Sequence, residues 1–205
     1  MAFLFVYFSL IFYNKINVYK EIKMLIAVII FILLVFFFFL TYNKFVRLRN
    51  MAEEAWSGIE VQLKRRCNLV PNLVDTVRTY AKHEKSLFEN ITESRKRAMN
   101  SYQIHERSIE EKILSNSMLK IFAVAENYPD LKANENFLKL QEELVDIEDQ
   151  IQYARRYFNG TVRNNNIFVQ SFPSLILASI FKFKEMEFFD LESIKEEIVP
   201  KVNIN

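Results

Sequence analysis

The sequence is poor in the residues that turn or break a chain, with only 2 glycines and 4 prolines among 205 residues. A fold of many short strands needs tight turns, which these two residue types usually supply. Their scarcity therefore favours long helices over a β-rich fold. At this length the chain has room for one ordinary domain in addition to a membrane segment.

Cysteine and histidine are also scarce. Cys67 is the sole cysteine, which excludes an intramolecular disulfide and a CxxC zinc site, and we interpret it as an ordinary side chain near a helix end. His83 precedes Glu84, but the second histidine of an H-E-x-x-H protease motif would fall at Leu87. With His105 as the other histidine, the sequence offers no histidine-rich metal site.

The charges are nearly balanced, with 27 basic and 25 acidic side chains and a net charge of +2. The charge balance therefore gives no indication of nucleic-acid binding, and no motif indicates a small-molecule substrate. A run of carboxylates could suggest a di-metal site, but such bundle sites combine glutamate with histidine, so we interpret the run as a solvated acidic face. Its members are Glu142, Glu143, Asp146, Glu148 and Asp149.

One long apolar run stands out against this background. Residues 24–40 are all apolar, and with Thr41 and Tyr42 they nearly span a hydrocarbon core of about 30 Å as a helix. The residues that follow lack the small side chains of a signal-peptide cleavage site. We predict an uncleaved transmembrane helix over residues 24–42, with the lipid bilayer as its partner.

Residues 1–23 form a separate N-terminal extension. Their apolar stretch, residues 3–13, is too short to span a membrane. Because Met24 directly precedes the predicted span, we hypothesise that translation begins there and that the extension lies upstream of the true start.

The orientation of the span follows from the basic residues on its flanks. From Met24, only the C-terminal flank is basic, with Lys44, Arg47 and Arg49. The positive-inside bias then predicts that the rest of the chain lies in the cytoplasm. If residues 1–23 are translated, Lys15, Lys20 and Lys23 balance this flank, and the orientation stays open.

The first helix is predicted to leave the bilayer and continue to about Arg66, because apolar residues recur at three- and four-residue steps. These are Phe45, Leu48, Ala52, Ala55, Ile59 and Leu63. Asn68 and Pro71 then predict a break and the start of a second helix that ends near Asn100.

Two further helices are predicted beyond residue 100. A shorter one covers about residues 109–125 and stops before Pro129. The other carries the longest apolar stripe, begins at the cap residue Asn134 and runs to about Phe172, before Pro173. The predicted fold is all-α: an elongated, coiled-coil-like antiparallel bundle of about four long helices over residues 43–190, the first continuous with the transmembrane helix, followed by a charged C-terminal tail, residues 191–205.

Several motifs resemble the signature of the LemA family, and the resemblance covers about residues 24–190. They are EAW (54–56), VQLKRR (61–66), VPNLV (70–74), YPDLKANENF (128–137), QEEL (141–144), IQYARRYFN (151–159) and FPS (172–174). The resemblance implies a bacterial membrane protein with one N-terminal transmembrane helix and a domain of long antiparallel helices, usually cytoplasmic. It implies no catalytic or cofactor residues. Leu175, Ser179 and Lys182 depart from the pattern, in which Asn, Gly and Gly are expected.

Lys64, Arg65 and Arg66 are the candidate partner-binding residues. They lie roughly 35 Å beyond the span on a straight helix, too far to clamp lipid headgroups, but they could recognise an acidic partner. The alternative is that they pair with carboxylates such as Glu60 and stabilise a helix end. Trp56 is also too far from the bilayer for an aromatic belt and is predicted to lie in the bundle core.

The C-terminal segment of residues 175–184, LILASIFKFK, is apolar and ends in lysines. It could lie in a membrane interface or cover a partner's groove, or it could fold back on the bundle. The leading functional hypothesis is a non-enzymatic scaffold or adaptor in the bacterial inner membrane. The alternatives are a membrane-surface or membrane-shaping protein that acts through this segment, and an enzyme or metalloprotein with a site built from scattered carboxylates and tyrosines.

Overall fold

The computed structural model describes residues 2–190, with side chains from Lys20 onward, so the predicted C-terminal tail lies outside the described residues. This part of the chain is all-α, as predicted, and contains no strand. Its helices are α1 (Ala2–Tyr80), α2 (Lys85–Asn100), α3 (Ile104–Ala125), α4 (Pro129–Lys132), α5 (Glu135–Gln170) and α6 (Ser174–Phe181).

Helix α1 extends without interruption over 79 residues, which is about 120 Å at the usual rise per residue. Side chains 20–40 are exposed all around it, whereas from Phe45 onward one apolar stripe is buried. Among the described residues, α1 is the one helix long and apolar enough to cross a membrane. The predicted continuity between the apolar run and the first bundle helix is therefore confirmed.

The predicted break at Asn68 and Pro71 is wrong, because α1 continues through both residues to Tyr80. Proline lacks an N–H, so it leaves the carbonyl oxygen four residues earlier, that of Cys67, without its helical partner. Arg95 of α2 replaces this partner, since its Nε lies 2.6 Å from the Cys67 carbonyl oxygen. The predicted second helix is consequently two pieces, the end of α1 and α2, separated by a turn at residues 81–84.

Helices α1 and α5 are long antiparallel partners. Trp56 packs on Phe158 near one end of the pair, with ring centroids 5.4 Å apart, and Asn134 donates to the Tyr80 hydroxyl at 3.0 Å near the other. Asn134 also caps α5, because its side chain accepts a hydrogen bond from the Phe137 N–H at 3.1 Å. The predicted helix that begins at Asn134 is thus confirmed, including its cap.

The bundle has a different thickness at its two ends. In the part that we call the head (residues 67–144), α2 and α3 form a hairpin against α1 and α5, and one large apolar cluster fills the centre. In the neck (residues 43–66 and 145–190), α1 and α5 pack on each other, with Phe189 of a returning extended segment in their shared cluster. Four long helices and the short α4 therefore surround the core of the head, whereas two long helices, with α6 and the returning segment, form the neck.

Replacing Arg95 with methionine is expected to lower the free energy of unfolding by about 1–3 kcal/mol, because it leaves the buried Cys67 carbonyl without a partner. In a Pro71→Ala background, the N–H of residue 71 can bond to that carbonyl, and the same replacement should cost much less. Chemical unfolding of the detergent-solubilised chain, followed by circular dichroism, measures both costs. Lys96→Met, at the exposed neighbouring position, is the control, and an equal cost of Arg95→Met in the two backgrounds would contradict the explanation.

Candidate functional site

The three basic residues predicted to bind a partner do not share one surface. Lys64 and Arg65 are exposed, whereas Arg66 is completely buried. The Arg65 guanidinium lies 3.8 Å from the Asp146 carboxylate, with more than half of each side chain in solvent, so this pair adds little stability. Lys64 and Arg65 stay candidates for partner binding, but the inclusion of Arg66 in the exposed cluster is wrong.

Arg66 instead connects three helices inside the bundle. Its Nη2 lies 2.5 Å from Oε2 of Glu111 on α3, and its Nη1 lies 2.7 Å from Oε2 of Glu148 on α5. The same Nη1 donates to the Ser115 hydroxyl at 2.8 Å. Arg66 thus lies at the boundary between the neck and the large apolar cluster of the head. Its ion pairs hold α3 and α5 at a fixed position along α1.

Glu111 extends this network to the remaining long helix. The second oxygen of its buried carboxylate, Oε1, lies 2.9 Å from Nε of Arg107, one turn earlier on α3. Arg107 in turn donates to the carbonyl oxygen of Ala98, in the last turn of α2. The buried cluster of Arg66, Glu111 and Arg107 therefore links α1, α2, α3 and α5.

The electrostatics of the site favour structure over reactivity. Burial disfavours the charge of Arg66, but the carboxylates of Glu111 and Glu148 more than offset this and raise the pKa of Arg66 above its ordinary value. Burial, with the Glu111 charge as a second cause, raises the pKa of the Cys67 thiol to about 11. Cys67 lies inside α1, several turns before its end at Tyr80, and not near a helix end as predicted. Its protonated, buried thiol is a poor nucleophile.

Most of the other predicted features lie where the sequence placed them. Trp56 packs against Phe158 and Phe189 in the bundle. In the acidic run, Glu148 is a partner of Arg66 and the other four carboxylates are exposed. Among the side chains that the structure describes, no three of His, Cys, Asp and Glu lie close enough together to hold a metal ion.

The apolar C-terminal segment folds back on the bundle through one side only. Leu177 and Ala178 of α6 are buried against Phe45 of α1 and Val169 of α5. Ile176 and Ile180 remain exposed on the other side. The folded-back prediction is therefore correct for one face of α6, and the second face is largely exposed.

Asparagines that sequence reasoning did not single out hold the chain that follows α6. The side-chain amide of Asn159 makes two 3.0 Å hydrogen bonds to the backbone of Phe189, one to its N–H and one to its carbonyl oxygen. Asn166 binds Met186 in the same way, at 2.8 and 2.9 Å. An amide side chain offers the same donor and acceptor as a strand backbone. The signal in the sequence was the run Asn164-Asn165-Asn166 within a helical pattern, and the structure buries Asn165 and Asn166.

Replacing Arg66 with methionine is expected to lower the free energy of unfolding by about 3–5 kcal/mol, because Glu111 stays buried with less compensation for its charge. Adding Glu111→Gln removes that charge and should restore a large part of the loss. Arg65→Met, next in the sequence but exposed, is the matched control and should cost less than about 1 kcal/mol. Equal losses in Arg66→Met and Arg65→Met, measured by chemical unfolding in detergent, would contradict a structural role for Arg66.

Comparison with known proteins agrees with the motifs. The model of the LemA family matches residues 55–204. Magnetosome protein MamQ of Magnetospirillum gryphiswaldense is 26% identical over 195 residues, which cover 82% of this chain and 72% of that protein. Protein LemA of Metamycoplasma hominis is 30% identical over 135 residues, which cover 65% of this chain and 58% of that protein. Since the family match covers most of its length, the chain belongs to the LemA family.

Proposed function

We propose that this protein is a non-enzymatic, single-pass scaffold or adaptor of the bacterial inner membrane, with its bundle in the cytoplasm. The observation that carries the proposal is the continuity of α1, which joins the apolar run of residues 24–40 to the core of the bundle in one helix. A rigid connection of this kind suits a protein that presents a surface at a set place relative to the bilayer. It differs from an enzyme domain tethered by a flexible linker.

The buried charges are consistent with a structural use of the chain's polar chemistry. Arg66 and Glu111 have no exposed surface and are consumed in ion pairs with each other and with their neighbours. Reacting groups need access to a substrate and a pKa matched to their task. Any recognition of another molecule must therefore use exposed side chains. We assign the binding of an acidic protein partner to the exposed basic pair Lys64 and Arg65.

The assignment of Lys64 and Arg65 is tested by crosslinking in cells, followed by affinity capture of the full chain. A Lys64→Ala, Arg65→Ala variant is expected to lose a defined protein that the parent chain captures, because two exposed positive charges are removed. Lys120→Ala, Lys139→Ala is the matched control, since it removes two exposed lysines elsewhere on the bundle. Capture of the same proteins by all three chains would contradict the assignment and indicate that Lys64 and Arg65 belong to an ordinary solvated surface.

The proposed orientation is tested with reporter fusions after residue 190. Because Lys44, Arg47 and Arg49 flank the apolar run on the bundle side, a fluorescent protein fused there should fold in the cytoplasm and fluoresce, and an alkaline phosphatase fusion should be inactive. Chains that begin at Met1 and at Met24 should be compared, since the three lysines of residues 1–23 oppose the bias. An active phosphatase fusion on either chain would overturn the orientation for that chain.

A further inference from the structure

We infer that α6 is a second membrane contact: it lies in the bilayer interface beside the span, with one face on the bundle and the other face in lipid. The inference rests on the proposed span. It adds to that proposal a short helix that follows the bundle in sequence and that returns to the membrane surface.

The composition of α6 is unusual for a helix on a water-exposed surface. Its sequence SLILASIF has serine as its only polar residue type, and Ser174 uses its hydroxyl to donate to the carbonyl oxygen of Phe168 at 2.6 Å. The uncovered face carries Leu175, Ile176 and Ile180, exposed by 49%, 53% and 62%, together with the small exposed side chain of Ser179. A helix without a charged residue, whose outer face is mostly large and apolar, is typical of an apolar environment on both sides.

The position of α6 along α1 identifies that environment. The Phe181 ring at the end of α6 lies 5.4 Å from Phe38 and 5.2 Å from Tyr42, centroid to centroid. Phe38 belongs to the apolar run of residues 24–40, so the end of α6 touches the proposed span itself. The uncovered face of α6 is therefore continuous with the exposed apolar surface of α1.

The start of α6 lies farther from the span. Ser174 is bonded to Phe168, whose ring packs on Phe45 with a centroid distance of 4.6 Å. Phe45 is about 10 Å farther along the axis of α1 than Phe38. Helix α6 thus slopes across the boundary between the apolar run and the bundle, at the depth of 5–10 Å that is typical of interfacial helices.

The charges around α6 suit the same level of the membrane. Lys182 follows α6 directly, with Lys184 close behind, and Lys44 and Arg47 are exposed on the neighbouring turns of α1. Basic side chains at this level favour anionic lipid headgroups. This combination of an apolar face, continuity with the span and a basic border favours the bilayer over a protein groove as the occupant.

Spin labels at single cysteines can measure the depth of α6 in the full chain. The chain carries Cys67→Ala and one of four substitutions: Leu33→Cys in the span, Ile176→Cys, Ile180→Cys, or Val145→Cys in the bundle. Val145 is the matched control, because it is an apolar helical residue with 59% exposure, close to the 62% of Ile180. Each chain is reconstituted in vesicles of phosphatidylcholine and phosphatidylglycerol, and the accessibility of the label to oxygen and to a water-soluble nickel chelate is recorded.

The expected result is a graded one. Oxygen, which concentrates in lipid, should relax the labels at positions 176 and 180 several-fold more than the nickel chelate does. Position 180 should be deeper than position 176, and position 145 should show the reverse preference.

A lipid-buried label at position 33 with a water-exposed label at 180 would overturn the inference and leave the span intact. Low accessibility of position 180 to both reagents would also overturn it, because protein would then cover that face. A water-exposed label at position 33 would instead refute the span, and the inference with it. Circular dichroism of each labelled chain verifies that the helices are retained.

Discussion

The architecture depends on one level of α1, where two adjacent residues fasten the α2–α3 hairpin. The side chain of Arg66 reaches α3 and α5, and the carbonyl of Cys67 receives Arg95 from α2. The first contact buries a charge and the second compensates for a proline, so each would be unfavourable if its partner were missing. Together they explain why a four-helix head begins at this level of an otherwise simple helix pair.

A buried ion pair is a costly way to add stability, because desolvation offsets much of the attraction between the charges. What the Arg66 network adds is position. Apolar contacts between α1 and α3 would tolerate a shift of one helix along the other, whereas the guanidinium finds Glu111, Ser115 and Glu148 together in one register only. The network therefore selects one arrangement of the helices, in the manner of polar residues that fix register in coiled coils.

The sequence predicted the features that local patterns encode and missed those that distant residues create. Periodicity and the Asn134 cap located α5, because capping and amphipathicity act within a few residues. The expected break at Pro71 was wrong because its compensation comes from Arg95, which no local pattern connects with residue 67. Arg66 looked like part of an exposed basic cluster for the same reason, since its carboxylate partners are 45 and 82 residues away. Lys182 adopts a left-handed backbone with φ of 59°, a conformation that favours the glycine expected at this position from the family pattern.

The unequal thickness of the bundle has a mechanical consequence. From Tyr42 to Tyr80, α1 extends about 57 Å along its axis. A protein that binds the end of the bundle at Tyr80 is therefore kept at nearly that distance from the apolar run. Resistance to bending rises steeply with the cross-section of a rod, and the neck has two long helices where the head has four. Lateral force on the head would therefore bend mainly the neck, next to the apolar run, while the head keeps its shape.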